Sequence, residues 1–297
     1  MAQISHPSMK VVSRDSVIKA TLVVLYFTGH TLLLLAFTSS AAAQEPAVLT
    51  ADAFALGAGT VQLSYGAEYS AKDAGFVLPV YPPMPGEVRE LTRLFPLSIR
   101  IGVAANVDVI VGWRGRLIAR TGGDATYTDW GDPSVFTKIT LTDTGRPFAA
   151  GVLFGVKIPS ARYLPARLGS DAMDAWFLAA SAWRFVNGEI RLNAGAAIVG
   201  DPRFTGSQDD MITGSVFALW RPLRGAAFFM ELYGFTGPKE EDDKLQLRGG
   251  TSLDAPFGTF SLYALGRVAG SPYDFSTAFL GTPEWGIGAS LSHRFGL

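Results

Sequence analysis

Beyond Gln44, apolar residues recur at every second position in segment after segment, and this period constrains the fold more than any other feature of the sequence. The end of the chain shows it clearly, since Trp285, Ile287 and Ala289 alternate with two glycines and a serine. A β-strand points successive side chains to opposite faces, whereas a helix repeats after about 3.6 residues. The pattern therefore predicts strands with one apolar face and one small or polar face.

Twelve segments share this alternation, and the connections between them are alternately short and long. The segments are 57–70, 90–104, 107–119, 132–142, 147–159, 172–185, 189–201, 209–221, 226–237, 245–255, 258–270 and 284–297. A soluble sandwich has no reason to sort its loops by length, but an outer-membrane barrel has short turns at one end and long loops at the other. We therefore predict an all-β fold, a transmembrane antiparallel up-and-down β-barrel of about 12 strands, with a range of about 10–14.

The first 43 residues predict an export signal. Lys10, Arg14 and Lys19 precede an apolar stretch at 20–37, and Ala41-Ala42-Ala43 then forms a small-residue cleavage site. The alternative is an uncleaved membrane-anchoring helix, because the apolar stretch approaches the length that spans a bilayer.

We expect a signal peptide at 1–43, a short periplasmic N-terminal segment at 44–56 and an outer-membrane β-barrel at 57–297. An even number of strands puts both ends of the barrel sequence on the same side of the membrane. The predicted location is the bacterial outer membrane, with both mature termini in the periplasm.

Composition excludes several other classes of protein. Charged residues make up 17% of the chain and the formal net charge is −1, so there is no electrostatic footprint for nucleic acid. With no cysteine, the chain forms no disulfide, no thiolate metal site and no lipid-modified N-terminal cysteine. The catalytic patterns G-x-S-x-G and H-E-x-x-H are also absent. We therefore expect no enzymatic activity, catalytic residue, cofactor, metal site or nucleic-acid partner.

Charged residues gather on the strand face that the apolar residues avoid. Arginine or lysine facing lipid at mid-bilayer costs about 2–4 kcal/mol, so we place these side chains inside the barrel. The predicted pore-lining residues are Glu68, Arg100, Asp108, Arg114, Asp132, Lys138, Lys157, Arg191, Asn193, Glu231, Arg248, Arg267 and Arg294. The same alternation places Arg116 inside. Both signs of charge occur, which predicts either a polar conduit or a plugged network of ion pairs.

Two strand sequences resemble a known family. Trp130–Lys138, with its Gly-Asp step and terminal lysine, resembles a strand of the phenol-degradation meta-pathway family of outer-membrane proteins. Gly151–Pro159 is similar to the strand that follows it in that family, although Pro133 and Ser160-Ala161 depart from the family pattern. The resemblance covers about residues 57–297. It implies an outer-membrane channel that admits aromatic or other hydrophobic small molecules.

The function we expect is passive uptake of small hydrophobic or aromatic molecules. One alternative is a structural barrel without an open pore. Another is an outer-membrane lipid hydrolase, which would depend on His293, the single histidine after residue 43. Expected partners are a small-molecule solute, outer-membrane lipid, lipopolysaccharide and the barrel assembly machinery, which would recognise the last strand ending in Phe295-Gly296-Leu297.

Overall fold

The computed structural model describes residues 50–71, 88–121, 125–143, 145–162, 168–169, 171–200, 208–238, 243–270 and 284–296. The predicted signal peptide at 1–43 lies outside the described residues. Within those ranges, no helix has the length and apolar character needed to cross a membrane.

The described residues form fourteen β-strands. They are β1 (Thr60–Ala71), β2 (Val88–Ala104), β3 (Val107–Trp113), β4 (Arg116–Thr121), β5 (Thr126–Trp130), β6 (Pro133–Thr140), β7 (Phe148–Lys157), β8 (Asp174–Phe185), β9 (Gly188–Gly200), β10 (Gln208–Leu223), β11 (Ala226–Thr236), β12 (Lys244–Ala255), β13 (Gly258–Gly270) and β14 (Trp285–Gly296). The all-β prediction is confirmed.

Twelve of the strands close into an antiparallel barrel. They follow the order β1-β14-β13-β12-β11-β10-β9-β8-β7-β6-β3-β2, and β2 pairs back onto β1. The first strand therefore has a partner on each side, with Thr60 opposite Gly296 of β14 and Val61 opposite Ile101 of β2. Closure removes the open edges of the wall, which allows a sheet to span hydrocarbon. The predicted barrel of about 12 strands is confirmed.

The strands β4 and β5 form an extra hairpin beside the wall, where β4 pairs with the first half of β2. We expected one strand over 107–119 and a loop over 120–131, and the structure corrects both. The strand breaks at Gly115, whose φ is 73°. A Cβ on this residue would lie 2.2 Å from the carbonyl oxygen of Leu94. Glycine is the residue that adopts this backbone without strain, and it turns the chain from β3 into β4.

The same turn changes which residues of β4 face inward. Leu117 and Ala119 are buried and pack with Leu168. Arg116 is exposed, with its guanidinium 5.5 Å from the ring centroid of Trp130. The prediction that Arg116 lies inside is therefore wrong, because the alternation of β3 does not continue unchanged through Gly115.

The two faces of the wall differ as the alternation predicts. Leu192, Val216 and Met230 are 45–56% exposed on the outer face. The residues beside them in sequence are buried on the inner face, and Arg191 and Glu231 among them are at most 2% exposed. The apolar belt therefore faces outward, and charged side chains such as Arg191 and Glu231 face the interior.

The barrel has two distinct ends. The short-turn end carries the start of β1, the end of β14 and the tight connections at 105–106, 186–187, 224–225 and 256–257. The opposite end, which we call the long-loop end, carries the ends of β1, β7, β9, β11 and β13 and the starts of β2, β8, β10, β12 and β14.

The outer face generates a test of membrane insertion. Val216 lies midway along β10, so Val216→Arg should reduce the free energy of unfolding in phospholipid bilayers by about 2–4 kcal/mol. Leu223→Arg, at the end of the same strand, should reduce it by at most about 1 kcal/mol. Denaturant titration of the reconstituted barrel measures both values. Equal losses for the two variants would contradict an outer face buried in lipid.

Candidate functional site

Residues 50–56, which we call the strap, lie inside the barrel near its short-turn end. Thr50, Asp52, Ala53 and Phe54 are all at most 4% exposed. The sequence analysis assigned these residues to a short segment preceding the barrel and did not predict that they enter the lumen.

The beginning of the strap is bonded to β9 and β11. The Thr50 hydroxyl donates to Oε1 of Glu231 at 2.7 Å, and the Thr50 amide donates to the same oxygen. The Ala51 amide donates to Oδ1 of Asn193 at 2.7 Å, and Nδ2 of Asn193 donates to the Ala51 carbonyl at 3.1 Å. Asn193 and Glu231, both predicted to line the interior, thus provide hydrogen-bond partners for backbone groups of the strap.

The middle of the strap is bonded to β6 and β2. Lys138 donates from Nζ to the Asp52 carbonyl at 2.8 Å and also to the Phe54 carbonyl. Thr140 donates from Oγ1 to the Ala53 carbonyl at 2.7 Å. These contacts supply the strap's carbonyl groups with donors that a neighbouring strand would otherwise provide.

Asp108 is the charge centre beneath the strap. Its Oδ2 lies 2.8 Å from Nη2 of Arg100 and 3.0 Å from Nζ of Lys138, and the Asp108 side chain is fully buried. The Leu56 amide donates to Oδ1 of Asp108 at 3.1 Å. Strands β2, β3 and β6 therefore hold the strap through one carboxylate and its two cations.

Phe54 anchors the strap in a floor of small side chains. It packs in one buried cluster with Ala149 of β7 and with Ala180 and Ala182 of β8. The guanidinium of Arg184 covers the ring at 3.7 Å from its centroid, close enough for a cation–π contact. The alanines leave the space that the ring fills.

A cavity of about 370 Å³ lies in the lumen and is bounded by Thr50, Ala51 and Asp52 of the strap. This volume falls within the usual range for small-molecule sites. Its apolar and aromatic lining consists of Tyr65, Pro96, Leu97, Ile110, Trp113, Phe136, Leu153, Trp176, Leu178, Tyr233 and Tyr263. Phe136 and Trp176 form a tilted aromatic pair with ring centroids 5.6 Å apart.

A second charged cluster lies at the cavity wall. Glu68 lies 3.2 Å from Arg93 and 3.6 Å from Arg248, and it accepts a hydrogen bond from the Tyr263 hydroxyl at 3.1 Å. Arg248 also lies 3.9 Å from Glu231, the residue that holds Thr50. This cluster therefore connects the cavity wall with the beginning of the strap.

A third buried cluster lies towards the long-loop end. Lys157 lies 2.8 Å from Asp174 and 3.5 Å from Asp132. Oδ1 of Asp132 accepts from the amides of Ser160 and Ala161, each at 2.7 Å. These bonds fix the start of the loop after β7 to the turn before β6.

The structure places ten of the thirteen predicted pore-lining residues in buried positions. They are Glu68, Arg100, Asp108, Asp132, Lys138, Lys157, Arg191, Asn193, Glu231 and Arg248. Arg114, Arg267 and Arg294 are half-buried. Five of the thirteen, Glu68, Arg100, Arg114, Lys138 and Arg248, line the cavity itself.

Several site residues were missed by the sequence analysis. Arg184 and Glu189 form an ion pair at 2.9 Å, and Arg184 also contacts Asp52 of the strap at 3.1 Å. The sequence feature that could have indicated the strap is the set of inward-facing alanines on β7 and β8. Small side chains on the inner face leave room for another segment.

His293 lies near the short-turn end, where its Nδ1 is 2.7 Å from the carbonyl oxygen of Phe257 and its ring packs against Phe295. The first contact joins β14 to the turn between β12 and β13, and the second lies within β14. In the described ranges, no group of three or more histidine and carboxylate side chains is arranged to hold a metal ion.

The sequence matches no protein-family model and no curated protein. The structure is similar to that of the COG4313 outer membrane channel from Pseudomonas putida F1, with a TM-score of 0.60, 11% sequence identity and coverage of 85% of this chain and 100% of that one. OmpF from Salmonella typhi aligns with a TM-score of 0.41 at 6% identity, over 80% of this chain and 97% of that one. The chain therefore has the fold of an outer-membrane channel, and the fold implied by the family resemblance is confirmed.

The charge centre under the strap generates a test of stability. Asp108→Asn would leave Arg100 and Lys138 without their buried carboxylate, so we expect a loss of about 3–5 kcal/mol in the free energy of unfolding. Asp143→Asn is the control, because Asp143 pairs with Arg146 on the exposed surface and should change stability by less than about 1 kcal/mol. Denaturant titration in detergent micelles measures both, and a loss below 1 kcal/mol for Asp108→Asn would contradict the assigned role.

Proposed function

We propose that this protein is an outer-membrane channel for passive uptake of small hydrophobic or aromatic molecules. In this proposal the strap closes the lumen at rest and moves when a solute passes. The proposal includes export by a cleaved signal peptide at 1–43 and a periplasmic location for the short-turn end and both mature termini.

One observation carries the proposal: an aromatic-lined cavity lies inside a closed barrel and is bounded by a segment that is not part of the wall. The strap contacts the wall through hydrogen bonds, ion pairs and one small apolar cluster. Such contacts can exchange for water or solute without opening any strand pair. The barrel therefore keeps its backbone pairing whether or not the strap is in place.

The cavity lining supports an apolar or aromatic solute. Trp176 and Phe136 offer ring faces and edges, and aromatic pairs contribute about 0.5–1.5 kcal/mol beyond the burial of their area. The similarity to the COG4313 outer membrane channel supports the same class of function. Lipid, lipopolysaccharide and the barrel assembly machinery remain the partners we propose for the wall.

A structural barrel without an open pore is the second candidate. The observation that favours it is the number of bonds on the strap, since Lys138, Asn193 and Glu231 each bond to it twice. In that case the strap would be a permanent part of the interior. Removal of the strap distinguishes the two candidates.

We expect deletion of residues 50–56 to raise the single-channel conductance of the barrel in planar bilayers several-fold. Benzyl alcohol, a small neutral aromatic, should then reduce the current by occupying the cavity. Trp176→Ala in the deleted background should weaken this block about two- to tenfold, because one aromatic contact is lost.

Trp220→Ala is the matched control, because Trp220 is 55% exposed on the outer face of the wall. It should leave the block by benzyl alcohol unchanged. Absence of conductance from a folded barrel lacking the strap would favour the structural candidate. A block that is equally sensitive to both tryptophans would contradict binding in the cavity.

A further inference from the structure

The charged part of the cavity lining is unequal in sign. Five cationic side chains and two carboxylates line the cavity among the described residues. Two of the cations, Arg100 and Lys138, are engaged by Asp108 and by the strap's carbonyl groups. Two others, Arg93 and Arg248, contact Glu68 instead.

Arg93 and Arg248 face each other across a single carboxylate. Glu68 lies 3.2 Å from Arg93 and 3.6 Å from Arg248. Charge-assisted bonds between nitrogen and a carboxylate are about 2.7–2.9 Å when well formed, so both contacts are long. Arg248 also lies 3.9 Å from Glu231, whereas Arg93 forms its one ion pair among the described residues with Glu68. Arg93 therefore has the greater capacity to bind a second anion.

One nitrogen of the Arg93 guanidinium group makes no hydrogen bond to the described residues. Its side chain is 13% exposed, and its Nε is buried with no hydrogen-bond acceptor among the described residues. A buried donor without an acceptor is unfavourable, and a carboxylate oxygen is the strongest acceptor available to a guanidinium. Arg93 also lines the cavity, so its guanidinium group is next to the space in which a solute would bind.

The arginines adjoin the aromatic part of the same cavity. The guanidinium of Arg248 lies 4.7 Å from the ring centroid of Tyr263, and Tyr65, Phe136 and Trp176 also line the space. A solute with an apolar ring and one acidic group would place each part against a matching surface. A neutral ring would use only the aromatic part, and a cationic one would meet like charge.

We propose that the preferred solutes are amphipathic anions, namely aromatic carboxylates whose acidic group binds at Arg93 and Arg248. This inference rests on the proposed function and specifies its substrate class. Glu68 acts as a resident competitor that neutralises the two arginines in the absence of solute.

Three solutes with the same ring test the proposal: benzoate, benzyl alcohol and benzylammonium. Trp113 and Trp176 line the cavity, so quenching of tryptophan fluorescence in the full-length, detergent-solubilised protein reports binding. Benzoate should bind about tenfold or more tightly than benzyl alcohol, the size expected for one charge-assisted hydrogen bond. Benzylammonium should bind most weakly.

Variants separate a binding role from a structural one. Arg93→Gln should weaken benzoate binding about tenfold and leave benzyl alcohol binding unchanged, whereas Arg93→Lys should retain part of the preference. Glu68→Gln should strengthen benzoate binding, because the competing carboxylate is removed. Arg120→Gln is the control, since Arg120 pairs with Glu90 and does not line the cavity.

Equal affinity of the wild-type protein for benzoate and benzyl alcohol would overturn the proposal while leaving the proposed function intact. An equal loss for both solutes in Arg93→Gln would overturn it as well, because the arginine would then only support the cavity. If none of the three solutes quenches fluorescence, the proposed function fails and this inference fails with it.

Discussion

Backbone pairing around the closed ring is the constraint on which the rest of the structure depends. In hydrocarbon each unpaired amide or carbonyl group costs several kcal/mol, so the wall must satisfy all of them internally. Pairing of β1 with both β14 and β2 completes the ring. Once the wall is complete, each strand has one face in lipid and one face inside, and the side chains must follow that division.

The interior faces then contain more charge than the lumen can leave unpaired. Asp108, with Arg100 and Lys138, shows the result: a fully buried carboxylate holds two cations and a strap amide. Because the strap supplies carbonyl acceptors to the same cations, its position and the ion pairs depend on each other. These polar contacts are separate from the strand pairing, so in the function we propose the strap can leave its position while the wall remains intact.

The strand alternation predicted the barrel and its inner face because lipid and interior impose opposite requirements on neighbouring residues. It missed the break at Gly115, since glycines are frequent throughout these strands and one with a positive φ has no distinct pattern. It also missed the strap, because residues 50–56 have no periodicity and their position depends on distant partners such as Asn193 and Glu231. Local pattern determines which face a side chain occupies, whereas contacts across the lumen determine what fills the space.

In the function we propose, the strap must leave its position inside the barrel before solute can pass. A covalent tether between the strap and the wall tests this directly. The chain has no cysteine, so Ala53→Cys with Ala149→Cys introduces a single pair of cysteines, both within the cluster that holds Phe54. We expect the oxidised protein to show no benzoate flux in proteoliposomes and the reduced protein to regain the flux of the wild type. Equal flux before and after reduction, with the bridge shown to be formed, would contradict a moving strap.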